Sequence, residues 1–259
     1  SLLFFSSCAS NPMIQPQVNS LVVAKKYPHA LKILEEGKEN YGPKNELLYL
    51  LDYGMVLHLS KNYAESIKAL NQAKRLYDDL YTVSLSNKAS TWVMNDANAV
   101  FRAEDYERVV INVIQALNYT MLGDYEEALV EARDVDSKLG VINSQYPSDQ
   151  QNVYREDAFA RLLMGILYEL KGSSADYNDA LISYKKALEI YEKLYRPNYA
   201  TQVPTVLKQN LMAMASYLDD PEFSKYSSRF YDVNFTRIED KKELAEIYMI
   251  VYKGYSPIK

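Results

Sequence analysis

Four times along this chain an aromatic residue is followed, three positions on, by a small one that opens an apolar helical stripe. The four segments are Tyr27 to Ala30, Tyr63 to Ser66, Tyr125 to Ala128 and Tyr177 to Ala180. A spacing of three puts both residues on one helix face. In three of the four a turn signal precedes the aromatic (Lys61-Asn62, Gly123-Asp124, Gly172 to Asp176), and a second apolar helical stretch lies immediately upstream. Helix, tight turn and helix therefore recur, which predicts an all-α fold of antiparallel hairpins. With 48% hydrophobic residues among 259 the chain can bury a sizeable core. Its 8 glycines and 9 prolines, most of them between helical segments, favour short loops between helices over an all-β fold.

The pattern resembles the tetratricopeptide repeat, which places small residues at fixed steps along its two helices. Gly54, Leu57, Tyr63, Ser66, Leu70 and Ala73 fall on those steps. So do Ala116, Tyr119, Gly123, Tyr125, Ala128 and Ala132, and again Gly165, Tyr168, Gly172, Tyr177, Ala180, Tyr184 and Ala187, with Ser173 to Ala175 as an insertion. The resemblance implies a tetratricopeptide-like α-α superhelix. Two hairpin helices approach closely only where no side chain holds them apart, so Gly and Ala mark the contact and tyrosines fill the adjoining gaps. The 24 tyrosines are accordingly read as packing residues rather than a stacking platform. The units are uneven. Tyr27 to Tyr63 is 36 residues, close to the repeat's period of about 34, but Tyr63 to Tyr125 is 62 and Tyr125 to Tyr177 is 52.

Helices are expected at 15–25, 28–40, 44–60, 62–94, 104–122, 124–145, 151–171, 176–195, 203–219 and 221–232. Asn62, Asp124 and Asn178 suit helix starts, and Gly123 and Gly172 suit stops. Pro43, Pro147, Pro197 and Pro221 are placed outside helix interiors, because each lacks the N–H that an interior position needs. The organisation that follows is a tether at 1–14, a helical repeat domain at 15–235, and a linker leading into a β-containing segment at 236–259. Within that last segment Ile247-Tyr248-Met249-Ile250-Val251-Tyr252 reads as a strand entering a turn at Gly254 and Pro257, with the natural chain continuing into its partner strands.

Between Leu47 and Leu59 apolar residues occupy nearly every face, and a helix hydrophobic all round is buried all round. Val109 to Leu122 and Ala158 to Leu170 are almost as apolar. Their inner faces must be covered, either by the chain's own ends or by an apolar partner. Against this background Asn112, Gln115 and Asn118 form a slanting polar stripe, and Asp52, His58, Arg161 and Glu169 sit on otherwise apolar helices. A buried carboxylate is costly unless paired, which suggests an Asp52–Arg161 ion pair. The stripe reads first as a network that sets packing between repeats, and second as a ligand-reading surface.

Chemistry of other kinds leaves little trace. The balance of 29 Lys+Arg against 34 Asp+Glu gives a net charge of −5 without long runs of one sign, which is no surface for nucleic acid. His29 and His58 stand at no metal-ligand spacing from a second histidine or cysteine, so no metal site and no cofactor is expected. There is no phosphate-cradling glycine loop and no nucleophile elbow. Beyond the N-terminal run no apolar stretch is long enough to span a bilayer, since Asp52, Gln115 and Arg161 interrupt the longest.

The only cysteine, Cys8, follows Leu2-Leu3-Phe4-Phe5-Ser6-Ser7 and resembles the end of a bacterial lipoprotein signal, with Phe5 where an aliphatic residue is usual. Because the basic segment that precedes such a run is missing and the chain starts at Ser1, the N-terminus reads as clipped. Phe101 to Val109, continuing through Gly123 to Ala128 and Glu131-Ala132-Arg133, and the closing Gly254 to Lys259, are similar to an uncharacterised family of bacterial outer-membrane lipoproteins with tetratricopeptide-like helices. The resemblance implies an envelope location facing the periplasm, lipidation at Cys8, partners among peptidoglycan-synthesis or outer-membrane proteins, and no catalytic residues. The expected function is a non-catalytic protein-binding scaffold. Two alternatives stand beside it: a carbohydrate-binding lipoprotein of the same architecture, and a glycan-cleaving enzyme using paired carboxylates, which needs no contiguous motif.

Overall fold

The computed structural model describes residues 14–86, 100, 101, 103–144, 154–241 and 243–252, excepting the side chains of 81–86 and 105. Cys8 with the run before it, Pro147, Gly254 and Pro257 lie outside these. The described residues are all-α, built of helices packed in contacting pairs, with no strand among them. The chain divides into two compact units, one running to Asp124 and taking in Ile250 onward, the other Tyr125–Met249.

In the first unit, α1 (Ile14–Val23) packs on α2 (Tyr27–Glu36). A short α3 (Lys38–Tyr41) leads to α4 (Glu46–Leu59), which touches α2, α3, α5 (Tyr63–Ser86) and α6 (Asp105–Met121). In the second, α7 (Tyr125–Ser144) packs on α8 (Ala158–Lys171), α8 on α9 (Ser174–Ile190), and α9 on α11 (Thr205–Tyr217). A π-helical turn (Tyr191–Tyr195) carries α9 into α10 (Arg196–Tyr199); α12 (Phe223–Arg229) and α13 (Ile238–Lys241) lie against α11.

The small residues of the repeat are where the helices meet. Ala30, Ser66, Ala128 and Ala180 are all fully buried, and α2, α5 and α7 begin at Tyr27, Tyr63 and Tyr125. At Gly54 the Leu70 side chain of α5 lies where a Cβ would go, and at Gly165 the ring of Tyr184, itself fully buried, fills that space. The turns repeat as well. Lys25, Lys61, Gly123 and Asp219 each adopt the left-handed conformation. The next residue's N–H returns to the carbonyl five positions back: Lys26 to Leu21 at 2.7 Å, and Asn62 to Leu57, Asp124 to Tyr119 and Asp220 to Ala215 at 2.9 Å. This is the Schellman closure of a helix end, and it satisfies carbonyls that would otherwise face the turn unpaired.

Three expectations need correction. Asn178 is not at a helix start: Ser173 caps α9, accepting from the Asp176 N–H at 3.2 Å, while Asn178 lies inside and donates to the Ser174 carbonyl. The helix continues through Pro197. Immediately before it the Arg196 N–H reaches the Tyr191 carbonyl five residues back, and a widened turn of that kind accommodates a ring that would clash with the regular ladder. The strand expected at Ile247 to Tyr252 does not form. Its backbone pairs with no other strand, and a lone strand has nothing to complete its ladder.

The covering expected over α4 is present: eleven of its residues from Leu47 to His58 are buried, and the chain's own ends supply part of the cover through Gln15 of α1 and Tyr252. Gly165→Leu should lower stability by about 1–3 kcal/mol, because the new side chain must displace the Tyr184 ring from a filled interface. Chemical denaturation would measure it, and an unchanged midpoint would mean that α8 and α9 do not meet there.

Candidate functional site

The seven polar residues singled out in the sequence divide between the units. Asp52, His58, Asn112, Gln115 and Asn118 belong to the first; Arg161 and Glu169 belong to the second.

In the first unit Asn112, Gln115 and Asn118 are completely buried on α6. Asn118 is the hub. Its amide nitrogen donates to the Ser66 hydroxyl at 2.9 Å and to Gln115 Oε1 at 3.3 Å, and Ser66 passes its own proton to the Gly54 carbonyl at 2.7 Å. Gln115 Nε2 donates to Asn71 Oδ1 at 2.9 Å. Because the Asn118 nitrogen is spent, its oxygen is the acceptor for His58 Nδ1 at 2.6 Å, which assigns the proton to Nδ1. His58 Nε2 then accepts from the Tyr252 hydroxyl at 2.7 Å. Burial holds the imidazole below its ordinary pKa, against the opposing hydrogen bond from Asn118, so the neutral ring fits the network. These groups satisfy one another, as a packing network requires.

Asp52 departs from expectation. Its partners are the Tyr41 hydroxyl at 2.9 Å and Gln15 Nε2 at 3.3 Å, both on Oδ2, while Oδ1 is buried without a hydrogen-bond partner. Arg161 pairs instead with Asp136 of α7 at 2.9 Å. The expected Asp52–Arg161 pair is therefore replaced by two local arrangements, each made by helices adjacent along the chain. Burial raises the Asp52 pKa to about 7, the hydrogen bonds from Gln15 and Tyr41 oppose the rise, and the Glu107 charge adds to it.

In the second unit Glu169 proved the more informative residue. One carboxylate oxygen accepts from Lys241 of α13 at 2.7 Å and the other from the Tyr184 hydroxyl at 2.7 Å. Lys241 also binds Glu246 at 2.8 Å. Burial works against the Lys241 ammonium, but the two carboxylates outweigh it and hold its pKa above the usual value. Asn210 of α11 ties the cluster together, donating to the Tyr184 hydroxyl at 3.2 Å and to the Tyr248 hydroxyl at 3.1 Å. Burial, then the nearby Glu169 charge, pushes the Tyr248 phenol up to about 12, so it stays protonated. Above the cluster opens a cleft of about 190 Å³, lined by Val206, Gln209, Asn210, Thr236, Lys241, Glu246, Ile247 and Tyr248. Apart from Tyr248 and Ile247, sequence reasoning singled out none of these lining residues. Asn210, a polar residue amid the apolar Leu207, Leu211, Met212 and Met214, was the available signal.

The chain matches no protein-family model and no curated protein. Among the described residues no group of three or more His, Cys, Asp or Glu side chains gathers at metal-binding distance, and no helix is long and apolar enough to cross a membrane.

The Asp52 environment yields a pH test. A carboxyl whose pKa rises from 3.8 unfolded to about 7 folded favours the native state at low pH, and that contribution is lost as pH rises through the interval. The loss amounts to at most about 1.4 kcal/mol per pH unit. His58 acts in the opposite sense, its contribution being lost as pH falls below 6.5, so the variant must be compared with the wild type at each pH. Asp52→Asn should melt higher than wild type at pH 8, with the advantage shrinking by pH 4.5. A difference independent of pH would mean that Asp52 ionises like a surface carboxylate.

Proposed function

We propose that this protein is a non-catalytic, tetratricopeptide-like scaffold of the bacterial cell envelope, anchored by a lipid on Cys8 and binding another protein through the surface of its helical hairpins. The reading rests on how the side chains are used. Tyr41, Tyr49, Tyr77, Tyr168, Tyr184, Tyr191 and Tyr226 are buried between helices, which suits packing rather than stacking on a ligand. The buried histidine is consumed by Asn118 and Tyr252.

The observation that carries the reading is an apolar run on the outside of the second unit, where Leu244, Ile247 and Met249 are 60%, 89% and 84% exposed. Contiguous exposed apolar side chains mark protein-binding surfaces. Envelope partners concerned with peptidoglycan synthesis or the outer membrane accord with the lipoprotein resemblance.

Cross-linking of the lipidated protein in membranes, followed by identification of what is captured, should yield a protein that is lost from the Ile247→Asp/Met249→Asp double variant. Recovery of glycan and no protein would overturn the proposal. Cys8→Ser should move the chain from the membrane fraction to the soluble fraction, and its retention in membranes would defeat the lipid anchor.

A further inference from the structure

The cleft of the second unit has a hydrogen-bonding character that neither the packing nor the scaffold reading uses. We infer that it is a binding site for a neutral polyhydroxylated ring, a single sugar residue, held through hydroxyl contacts rather than aromatic stacking.

The inference starts from which polar atoms at the cleft are already committed. The Lys241 ammonium has three N–H groups, directed to Glu169, Glu246 and, at 3.5 Å, Asn210 Oδ1. It has none left for an anion. Asn210 spends its amide nitrogen on Tyr184 and Tyr248. The Gln209 nitrogen is spent on the Asn234 carbonyl at 3.0 Å, which leaves its Oε1.

What remains at the cleft alternates between acceptors and donors. Gln209 Oε1 and the second Glu246 oxygen accept. Tyr248 receives a hydrogen bond from Asn210 and keeps its own O–H to give. Thr236 also lines the cleft, and its hydroxyl can do either. A hydroxyl group both donates and accepts, so adjacent hydroxyls on a ring are matched by such an alternation, whereas a carboxylate or phosphate, which only accepts, is not.

Charge and size point the same way. Two carboxylates around one ammonium leave a net charge of −1, which repels anions. A volume of about 190 Å³ is below the roughly 300–1,000 Å³ of pockets for drug-sized ligands, so one ring is the natural occupant. Val206 and Ile247 supply apolar walls for the C–H faces of such a ring.

The ring could be a free sugar or the terminal residue of a longer glycan. Titration of the full chain with glucose, N-acetylglucosamine and a β-linked disaccharide, followed by NMR shifts of the Gln209 and Thr236 amides, separates the two. Saturable shifts with the monosaccharides identify a free sugar as sufficient; saturation with the disaccharide alone identifies a glycan end. Either result supports the site. Thr236→Val and Gln209→Leu, which leave the Glu169–Lys241–Asn210 cluster intact, should each weaken binding by about tenfold, a loss of about 1.4 kcal/mol, with unchanged melting temperature. Glucose 6-phosphate should bind more weakly than glucose. The assignment is overturned by the absence of saturable shifts with every neutral sugar, by shifts that persist unaltered in both variants, or by tighter binding of inorganic phosphate or a simple alkylamine.

Discussion

Close approach of paired helices is the constraint on which the rest of the molecule depends. In α8 and α9 the Tyr184 ring occupies the space in which any other residue at 165 would carry a Cβ, and in α4 and α5 the Leu70 side chain does the same at Gly54. Packing at that distance brings the surrounding alanines, Ala73, Ala180 and Ala187, into complete burial and leaves no room for water. Polar groups caught inside such an interface must find partners among themselves. The position of Tyr184 illustrates the connection: its ring seals the hairpin while its hydroxyl, at the edge of the same contact, reaches Glu169 and Asn210 and so builds the floor of the cleft.

The two polar groupings are built on different energetic terms. Around Asn118 the side chains are neutral amides, a hydroxyl, an imidazole and a phenol, so burial costs desolvation of dipoles that hydrogen bonds recover. Around Lys241 the groups are charged, and removing them from water costs more than any one contact returns. That cluster is held by two carboxylates on one ammonium and stands beside a cleft that admits solvent. Asp52 belongs to neither pattern. A carboxyl buried with one oxygen unsatisfied is the least favourable arrangement in the first unit, and its elevated pKa is the expression of that cost.

The helices were legible because their signal is local. Aromatic and small residues at a spacing of three, and glycine at 123 and 172, fix a helix face and a helix end with information from a few neighbouring positions. Pairings were not legible. Nothing near Asp52 or Arg161 says that one is held by Tyr41 and Gln15 and the other by Asp136, since either cation would satisfy either acid. Of the cleft, Glu169 was found because it interrupts an apolar helix, while Thr236, Lys241 and Glu246 lie in ordinary polar sequence and acquire meaning only where α13 meets α11. The expected strand failed for a related reason: Ile247 to Tyr252 has the composition of one, but a ladder needs a neighbour that composition cannot supply.

The widened turn at Tyr191–Tyr195 has a consequence for how the second unit accepts change. A π-helical turn holds one residue more than the regular helix would, so it is a one-residue insertion absorbed in place. Deleting a single residue between 191 and 195 would return this stretch to ordinary winding and swing everything after it by about 100° around the axis. Pro197 and Tyr199 would then look in a new direction, so chain length at this spot acts as a rotational setting for what comes next.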